Sequence, residues 1–299
     1  MGKLNLLSRI QYLYKYENKN IIQYLKEISN TSSNSMEDIL ISYDFQAGTY
    51  TKSYKENPNA KKHHLKNLIE VLDDLNGCKT ILEVGVGEAT SLLEIIKSSR
   101  VNYDKIFGFD LSWSRIKYAK KLLEEVQLSD VELFTGDLFN MPLANNSIDL
   151  VYTVHTLEPN GGKELEALKE LYRVANKYVV LVEPYYEGAN NEAKERMDRL
   201  GYIKGLEDKI NQLGYKILLN KALNNDMNPL NPANIIVIEK QKDDHKSSAI
   251  LCCPITKSPL KFIKGCYYSE ESLLAYPLID GIPCLLSNNA IIATKFLDD

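Results

Sequence analysis

Glycine and acidic residues follow three consecutive apolar runs of the chain, in a pattern that could hold a nucleoside. The first run continues as ILEVGVGEAT, in which Glu83 stands before Gly85 and Gly87, and glycines let the backbone turn tightly and approach a ligand. Asp110 follows the second run, 23 residues after Gly87, the spacing at which a carboxylate meets a ribose diol. Asp137, in TGDLFNMP after the third run, can accept a hydrogen bond from an exocyclic amine such as that of adenine.

The same residues narrow the choice of cofactor. A dinucleotide fold uses the pattern GxGxxG, and here Thr90 replaces the third glycine, which disfavours a nicotinamide oxidoreductase. A Walker loop is excluded because GK[ST] does not follow the glycines. Glu83 and Glu88 place negative charge where a pyrophosphate would lie, so the pattern favours a cationic ligand, such as a sulfonium that carries an amino group.

Apolar runs that alternate with amphipathic segments must position these side chains. Between residues 65 and 240 they predict repeated βαβ units, and hence an α/β protein with a doubly wound, mainly parallel sheet of seven strands. Ligands bind beyond the carboxyl ends of the strands in such a sheet. We expect strands at 80–84, 106–109, 131–135, 148–154, 178–182, 215–219 and 235–239, and helices at 89–98, 112–126, 163–175 and 191–213.

Three sequence runs carry a resemblance to a known family. ILEVGVGEAT, FGFDLS and FTGDLFNMPLANNSIDLVYTVHTLE resemble, in order and spacing, the motifs of class I S-adenosylmethionine-dependent methyltransferases, over residues 65–240. The resemblance implies a Rossmann-like methyltransferase fold, with S-adenosyl-L-methionine as the cofactor and S-adenosyl-L-homocysteine as the product. It also implies these ligand contacts: the methionine end beside Glu83, Gly85 and Gly87, the ribose on Asp110, and the adenine against Leu111, Asp137 and Leu138.

The residues before the first strand are expected to form a helical arm or lid. Residues 1–60 mix helical periodicity with a polar stretch, NTSSNSMED, and an aromatic one, YDFQAGTYTKSY. In related methyltransferases such an arm often closes over the cofactor. By that resemblance, Tyr43 and Tyr50 are candidates for contact with the cofactor.

Two side chains after the fourth strand are candidates for catalysis. The segment HTLE resembles the place where this family faces cofactor and acceptor together, so His155 would also contact the cofactor. Methyl transfer from a sulfonium is an in-line displacement, and His155, with an unperturbed pKa near ~6.5, is a candidate base for an oxygen acceptor. Glu158 is a second candidate for the same role. The alternatives are that His155 only hydrogen-bonds its loop and that Glu158 is a helix-start or loop carboxylate.

Tyrosine and asparagine side chains are expected at the same edge of the sheet. Tyr185 and Tyr186 follow the fifth strand, and Asn228 and Asn231 precede the seventh, where acceptor specificity is usually set in this fold. These side chains suit a polyhydroxylated acceptor, so we expect them to bind the substrate. Ordinary loop chemistry explains them equally well.

The C-terminal segment has a different character. Four of the five cysteines lie there: Cys252, Cys253, Cys266 and Cys284. A zinc ribbon needs two CxxC pairs, and Thr256 stands where the second cysteine of the first pair would be. CPITKSPL and LAYPLIDGIPCLL nevertheless resemble, over residues 250–287, a small zinc-ribbon-like domain, known as a free-standing bacterial protein and as the activator subunit of certain tRNA and translation-factor methyltransferases. We expect a metal-free, β-rich domain that docks on the larger one.

Composition and charge limit the partners. The 299 residues include 36 basic and 40 acidic ones, and a net charge of −4 gives no field that would hold nucleic acid or an anionic membrane. No apolar run approaches the ~20 residues of a membrane helix, and the start lacks a secretory signal, so we expect a cytoplasmic monomer or homodimer. The expected division is an arm at 1–60, a cofactor-binding domain at 61–240, a linker at 241–248 and a small domain at 249–299.

Together these patterns predict an enzyme that moves a methyl group from S-adenosylmethionine to an oxygen or nitrogen of a small polar acceptor, such as a sugar or sugar nucleotide. A tRNA or protein acceptor is the rival that the relatives of the C-terminal segment suggest, although the acidic balance counts against tRNA. A third hypothesis is a non-catalytic, cofactor-binding scaffold subunit, which would form a tight complex without turnover.

Overall fold

A large mixed sheet is the centre of the computed structural model, which describes residues 3–31, 33–223, 228–241 and 250–298. Its strands are β1 (Thr80–Val84), β2 (Lys105–Asp110), β3 (Val131–Thr135), β4 (Ile148–Val154), β5 (Ala175–Pro184), β6 (Lys216–Ala222) and β7 (Ala233–Glu239). They lie in the order β3-β2-β1-β4-β5-β7-β6, and β7 runs antiparallel to both of its neighbours. The order reverses between β1 and β4, which confirms the doubly wound, mainly parallel fold.

Helices cover both faces of this sheet. The α-helices of the described residues are α1 (Leu7–Glu17), α2 (Ile21–Ser29), α3 (Met36–Phe45), α4 (Thr49–Glu56), α5 (Pro58–Asp74), α6 (Thr90–Ser98), α7 (Trp113–Glu125), α8 (Glu164–Val174), α9 (Asn191–Leu200) and α10 (Leu206–Gln212). Consecutive residues of β1 point to opposite faces: Ile81 shares a buried cluster with Leu68 of α5, and Leu82 shares another with Leu168 of α8. Because both faces are covered, the central strands read as continuous apolar runs.

Residues 191–213 form two helices where the pattern predicts one, so that prediction was wrong. Helix α9 ends at Gly201, whose φ of 73° is left-handed and whose N–H donates to the carbonyls of Asp198 and Met197. Helix α10 begins after Gly205, which is also left-handed, with a φ of 61°. Glycine adopts this conformation without strain, so the chain turns between the two helices.

The helices before β1 form an arm across the carboxyl ends of the strands. Helices α1, α2 and α3 pack around a small apolar cluster that includes Ile10, Leu25 and Ile41. The Asp44 carboxylate at the end of α3 accepts a hydrogen bond from the Ser112 hydroxyl at 2.6 Å. That bond ties the arm to the start of α7.

The C-terminal residues 250–298 form a small β-rich unit. Its strands are β8 (Lys261–Ile263), β9 (Cys266–Ser269), β10 (Leu274–Tyr276), β11 (Leu278–Ile279), β12 (Ile282–Pro283) and β13 (Ile291–Ile292). The unit extends the edge of the large sheet, since the Leu285 N–H donates to the Thr135 carbonyl of β3 at 3.2 Å. The Cys252 N–H donates to the Pro142 carbonyl at 3.0 Å, which holds the loop after β3 as well.

The four C-terminal cysteines are dispersed among apolar side chains. The Cys253 thiol lies 3.2 Å from the Tyr276 hydroxyl, and the thiols of Cys266 and Cys284 each donate to a nearby backbone carbonyl. Across residues 3–31, 33–223, 228–241 and 250–298, no group of three or more His, Cys, Asp or Glu side chains is arranged to hold a metal ion. Cys253 belongs to the buried apolar cluster that includes Leu82 of β1, and Cys252 and Cys284 are buried as well.

The linker expected at 241–248 lies outside the described residues, except for Gln241. The division of the chain at residues 60, 240 and 248 therefore stays a proposal. Within the described part of the chain, none of the helices has the length and apolar character that a bilayer span requires.

Candidate active site

A cavity of about 540 Å³ lies beyond the carboxyl ends of β1, β2 and β4, against the N-terminal arm. Its volume is in the ordinary range for a small-molecule site. The residues that the sequence predicts and that line this cavity are Tyr43, Tyr50, Glu83, Gly85, Gly87, Asp110, Leu111, Asp137, Leu138, His155, Glu158, Asn228 and Asn231.

The loop after β1 needs its two glycines. Gly85 and Gly87 have φ of 68° and 55°, in the left-handed region that disfavours side chains. A Cβ on Gly85 would lie 2.3 Å from the Cγ2 atom of Thr156, and a Cβ on Gly87 would lie 2.6 Å from the guanidinium of Arg115. The positive φ of both residues and the close approach of Thr156 to Gly85 explain why glycines stand at these positions.

Asp110 is fixed in place at the end of β2. Its Oδ2 atom accepts the Gly87 N–H at 3.0 Å, and its Oδ1 atom accepts the Ser112 N–H at 2.9 Å. Arg115 Nη1 lies 4.0 Å from Oδ2. A carboxylate has about four lone-pair positions, so both oxygens can still accept hydrogen bonds from a ligand diol.

Glu83 is a buried carboxyl group at the end of β1. Burial raises its pKa to about 8, although a 2.9 Å hydrogen bond from the Tyr152 hydroxyl and the nearby Lys61 ammonium act in the opposite direction. Lys61 comes from α5, and its Nζ atom lies 3.3 Å from the Ser91 hydroxyl at the start of α6. A carboxyl and an ammonium group thus face one end of the cavity together.

The loop after β3 carries Asp137 and is braced by the C-terminal unit. Asp137 Oδ1 accepts the Phe139 N–H at 3.0 Å, while burial raises the pKa of the carboxyl group. The Lys257 ammonium donates to the Met141 carbonyl at 3.1 Å and lies 3.3 Å from the Glu170 carboxylate. These contacts join the C-terminal unit to the loop after β3 and to α8.

The arm closes one wall of the cavity. The guanidinium of Arg115 lies 5.2 Å from the ring centre of Tyr43 and 4.8 Å from that of Tyr50, in favourable cation–π contacts. The Glu88 carboxylate accepts the N–H groups of Gly48, Tyr50 and Thr51 at the start of α4, the Gly48 N–H at 3.0 Å. A carboxylate at a helix N-terminus is favoured by the helix dipole, so Glu88 fastens the arm.

His155 and Glu158 form a hydrogen-bonded pair on the wall after β4. The His155 Nδ1 atom and the Glu158 Oε2 atom are 2.9 Å apart. Burial lowers the pKa of His155, but the hydrogen bond and charge of Glu158 outweigh it, so the net pKa lies above the usual value. Burial raises the pKa of Glu158, but its bonds with His155, Tyr202 and Asn231 hold the net pKa below the usual value.

Glu183, at the end of β5, fixes the loop that carries this pair. Its carboxylate oxygens accept the Thr156 N–H at 2.9 Å and the Glu158 N–H at 3.2 Å. His155 itself has a left-handed φ of 56°, and its N–H donates to the Val182 carbonyl at 2.8 Å. Strained backbone that neighbouring hydrogen bonds hold in place is typical of functional sites, where the orientation of the side chain must be fixed.

Tyr185 and Tyr186 do not reach this cavity. Tyr185 lines a separate small cavity of about 70 Å³, and its N–H donates to the Pro232 carbonyl at 2.7 Å, which turns the chain away. The Tyr186 hydroxyl donates to Asp198 at 3.1 Å, and the Lys204 ammonium lies 4.4 Å from its ring centre. We therefore leave both tyrosines out of the proposed acceptor site.

Sequence reasoning missed the cations of the cavity. These are Lys61 on α5, Arg115 on α7 and Arg196 on α9. Arg115 lies in the first turn of α7, five residues after Asp110, and this proximity is a signal that could have identified it. Lys61 and Arg196 stand in amphipathic helical patterns, where a lysine or arginine normally belongs to the solvated face.

Residues 81–177, which run from β1 into β5, match a family described as a methyltransferase domain. This segment contains the glycine loop, Asp110, Asp137 and the His155–Glu158 pair. These residues are a methyltransferase domain. A solved structure of magnesium protoporphyrin IX methyltransferase from Synechocystis PCC 6803, with bound SAH, is similar over 62% of this chain and 86% of that one, at 13% identity and a TM-score of 0.48.

A second similarity involves a short segment of the chain. A UPF0434 protein from Chelativorans sp. is 42% identical over 55 residues, which are 18% of this chain and 78% of that protein. Over that segment the chain belongs to the UPF0434 family. A tetraacyldisaccharide 4'-kinase from Verminephrobacter eiseniae is 45% identical over 49 residues, 16% of this chain, and the chain spans 11% of the length of that kinase.

Proposed function

We propose that this chain transfers the methyl group of S-adenosylmethionine to an oxygen of a small polar acceptor. The observation that carries the proposal is the His155–Glu158 pair, 2.9 Å apart, on the wall of the same cavity as the glycine loop and Asp110. A histidine that a carboxylate orients is a general base in many enzymes. An oxygen acceptor uses such a base, because its hydroxyl proton must leave as the new bond forms.

The residues present fit the cofactor. Glu83 would bind its amino group, and Lys61 would bind its carboxylate, since these two side chains face one end of the cavity. Asp110 would accept the ribose hydroxyls, and Asp137 the adenine amine. When bound, S-adenosylmethionine supplies an electrophilic methyl group on a positively charged sulfur.

The protonation of Glu83 gives a prediction about cofactor binding. With a pKa of about 8, this carboxyl group is mostly protonated at pH 7 in the empty site. A cationic ligand beside it lowers the pKa, so binding at pH 7 is expected to release up to about one proton, and well above pH 8 almost none. Titration calorimetry in phosphate and in Tris, whose ionisation enthalpies differ, measures this release.

Two variants test whether the released proton comes from Glu83 or from another group. Glu83→Gln should bind S-adenosylmethionine without the buffer-dependent heat. Glu94→Gln should keep that heat, because Glu94 is a buried carboxylate that accepts hydrogen bonds from Tyr54 and Ser98 and does not itself line the cavity. Identical heats in both buffers for the unmodified protein would contradict the assignment.

The residues of the chain then activate the acceptor. Glu158 accepts the Nδ1–H of His155, which leaves Nε2 as the nitrogen that can take a proton. As the acceptor oxygen takes up the methyl group, its hydroxyl proton would pass to Nε2 of His155. Glu158 is a positioning residue in this scheme, since it acts through His155.

The finer features of the acceptor belong to this proposal. Asn228 and Asn231 line the cavity and would hydrogen-bond a polyhydroxylated acceptor such as a sugar or sugar nucleotide. We also propose that the chain acts in the cytoplasm, as a monomer or homodimer. All five cysteines are free thiols, which supports a reducing compartment.

Calorimetric titration with S-adenosylmethionine, S-adenosylhomocysteine and NADH in parallel tests the proposal. We expect micromolar binding of the first two and none of NADH, followed by S-adenosylhomocysteine release when small hydroxylated acceptors are added. Failure of the first two to bind would contradict the proposal. Tight binding without turnover on small acceptors would favour the rivals, a tRNA or protein acceptor or a non-catalytic scaffold subunit.

A further inference from the structure

Arg196 of α9 lines the cavity and has no acidic partner among the described residues. Its Nη1 atom lies 3.4 Å from the Leu230 carbonyl, and its Nη2 atom lies 3.5 Å from the Tyr202 hydroxyl, both long contacts to neutral oxygens. Among the described residues no carboxylate lies within 4.0 Å of its guanidinium. By contrast, Arg115 lies 4.0 Å from Asp110. Arg196 thus retains donors for a ligand.

Asn231 supplies the complementary group beside it. Its Nδ2 atom donates to Glu158 at 3.1 Å, whereas its Oδ1 atom is buried and has no hydrogen-bond partner among the described residues. A buried oxygen without a partner is costly, so a ligand hydroxyl is expected to donate to it. Asn231 therefore links an acceptor hydroxyl to the Glu158 carboxylate that orients His155.

We propose that the acceptor is a hydroxylated anion: Arg196 binds its carboxylate or phosphate group, and Asn231 holds its hydroxyl near His155. This inference rests on the proposed function and adds the charge of the substrate. One part of the cavity wall is apolar, since Met36, Ile39 and Leu40 of α3 belong to it. A small carbon skeleton between the anion and the hydroxyl would contact that wall.

Matched pairs of ligands test this charge. Protein saturated with S-adenosylhomocysteine is titrated with 4-hydroxybenzoate and 4-hydroxybenzyl alcohol, and with glucose 6-phosphate and glucose. We expect at least one anion to bind ~10–100-fold more tightly than its neutral partner, the typical effect of a charge-assisted hydrogen bond. The first pair tests whether the site prefers a carboxylate, and the second tests whether it prefers a phosphate.

Two variants assign the effect to Arg196. Arg196→Gln should abolish the preference for the anion while S-adenosylhomocysteine binds as before. Arg199→Gln removes the same charge from an exposed position of the same helix, outside the cavity lining, and should keep the preference. Equal binding within both pairs, no binding of either anion, or a preference that survives Arg196→Gln would overturn the inference. If the unmodified protein does not bind S-adenosylhomocysteine at all, that result would instead contradict the proposed function.

Discussion

Replacement of Asp110 by alanine is expected to weaken S-adenosylmethionine binding by at least ~100-fold. Two charge-assisted hydrogen bonds to a ribose diol contribute about 1.5–3 kcal/mol each, and alanine can make neither. The same change also removes the acceptor of the Gly87 N–H, which lies 3.0 Å from Oδ2. Both losses act in the same direction, because the glycine loop would lose its anchor as the ligand loses its partner. Calorimetry with S-adenosylmethionine measures the effect.

A matched variant distinguishes this site from a general effect of charge. Asp104 precedes β2 and is exposed, where it pairs with Lys79 at 3.5 Å. Asp104→Ala should bind the cofactor normally. If Asp110→Ala binds S-adenosylmethionine as tightly as the unmodified protein does, the assignment of Asp110 to the ribose is wrong.

Much of the fold could be predicted from the sequence because the central strands are buried on both faces. A run such as YVVLV at β5 has no polar alternation, and only a sheet that is covered on both sides accepts it. The break between α9 and α10 could not be predicted in the same way. Gly201 and Gly205 are single glycines within a continuing apolar period, and a single glycine is a weak signal against a helix.

Some residues of the candidate site could be predicted from the sequence, and others could not. Asp110, Asp137 and His155 lie at the carboxyl end of a strand or within two residues of it, so the rule for strand ends predicts that they line the cavity, as they do. Tyr185 and Tyr186 satisfy the same rule but lie elsewhere, because β7 pairs with the end of β5 and the chain bends away with it. Strand order is a tertiary property, and local sequence does not encode which neighbour lies beside a strand end.

The structural role of Glu88 could not be predicted from the sequence. The sequence pattern indicates only that the negative charge of Glu88 disfavours a pyrophosphate. In the structure its carboxylate caps the first turn of α4 and so holds the arm in place. The contact joins residues that are far apart in the chain. The same holds for the contact of Arg115 with Tyr43 and Tyr50, which exists only after α3 and α4 fold over α7.

His155→Ala is expected to reduce turnover by ~100-fold or more and to leave cofactor affinity near normal. General base catalysis contributes factors of this size, and alanine has no group that takes the acceptor proton. Single-turnover measurement of S-adenosylhomocysteine formation, at saturating acceptor, isolates that step. His63→Ala is the control, because His63 is exposed on α5 and does not line the cavity. An unaffected rate in His155→Ala would return this histidine to a structural role.

The pH dependence of turnover separates the base from its partner. The rate should rise with pH as His155 loses its proton, through a pKa above ~6.5, since Glu158 and Glu183 raise that pKa while burial and Lys61 lower it. Glu158→Gln keeps an acceptor for Nδ1–H but removes the charge, so the rising limb should move to lower pH. The maximal rate should fall as well, because a base of lower pKa takes a proton less readily. A limb that stays in place in Glu158→Gln would show that the titrating group is not His155, whatever the size of the rate loss.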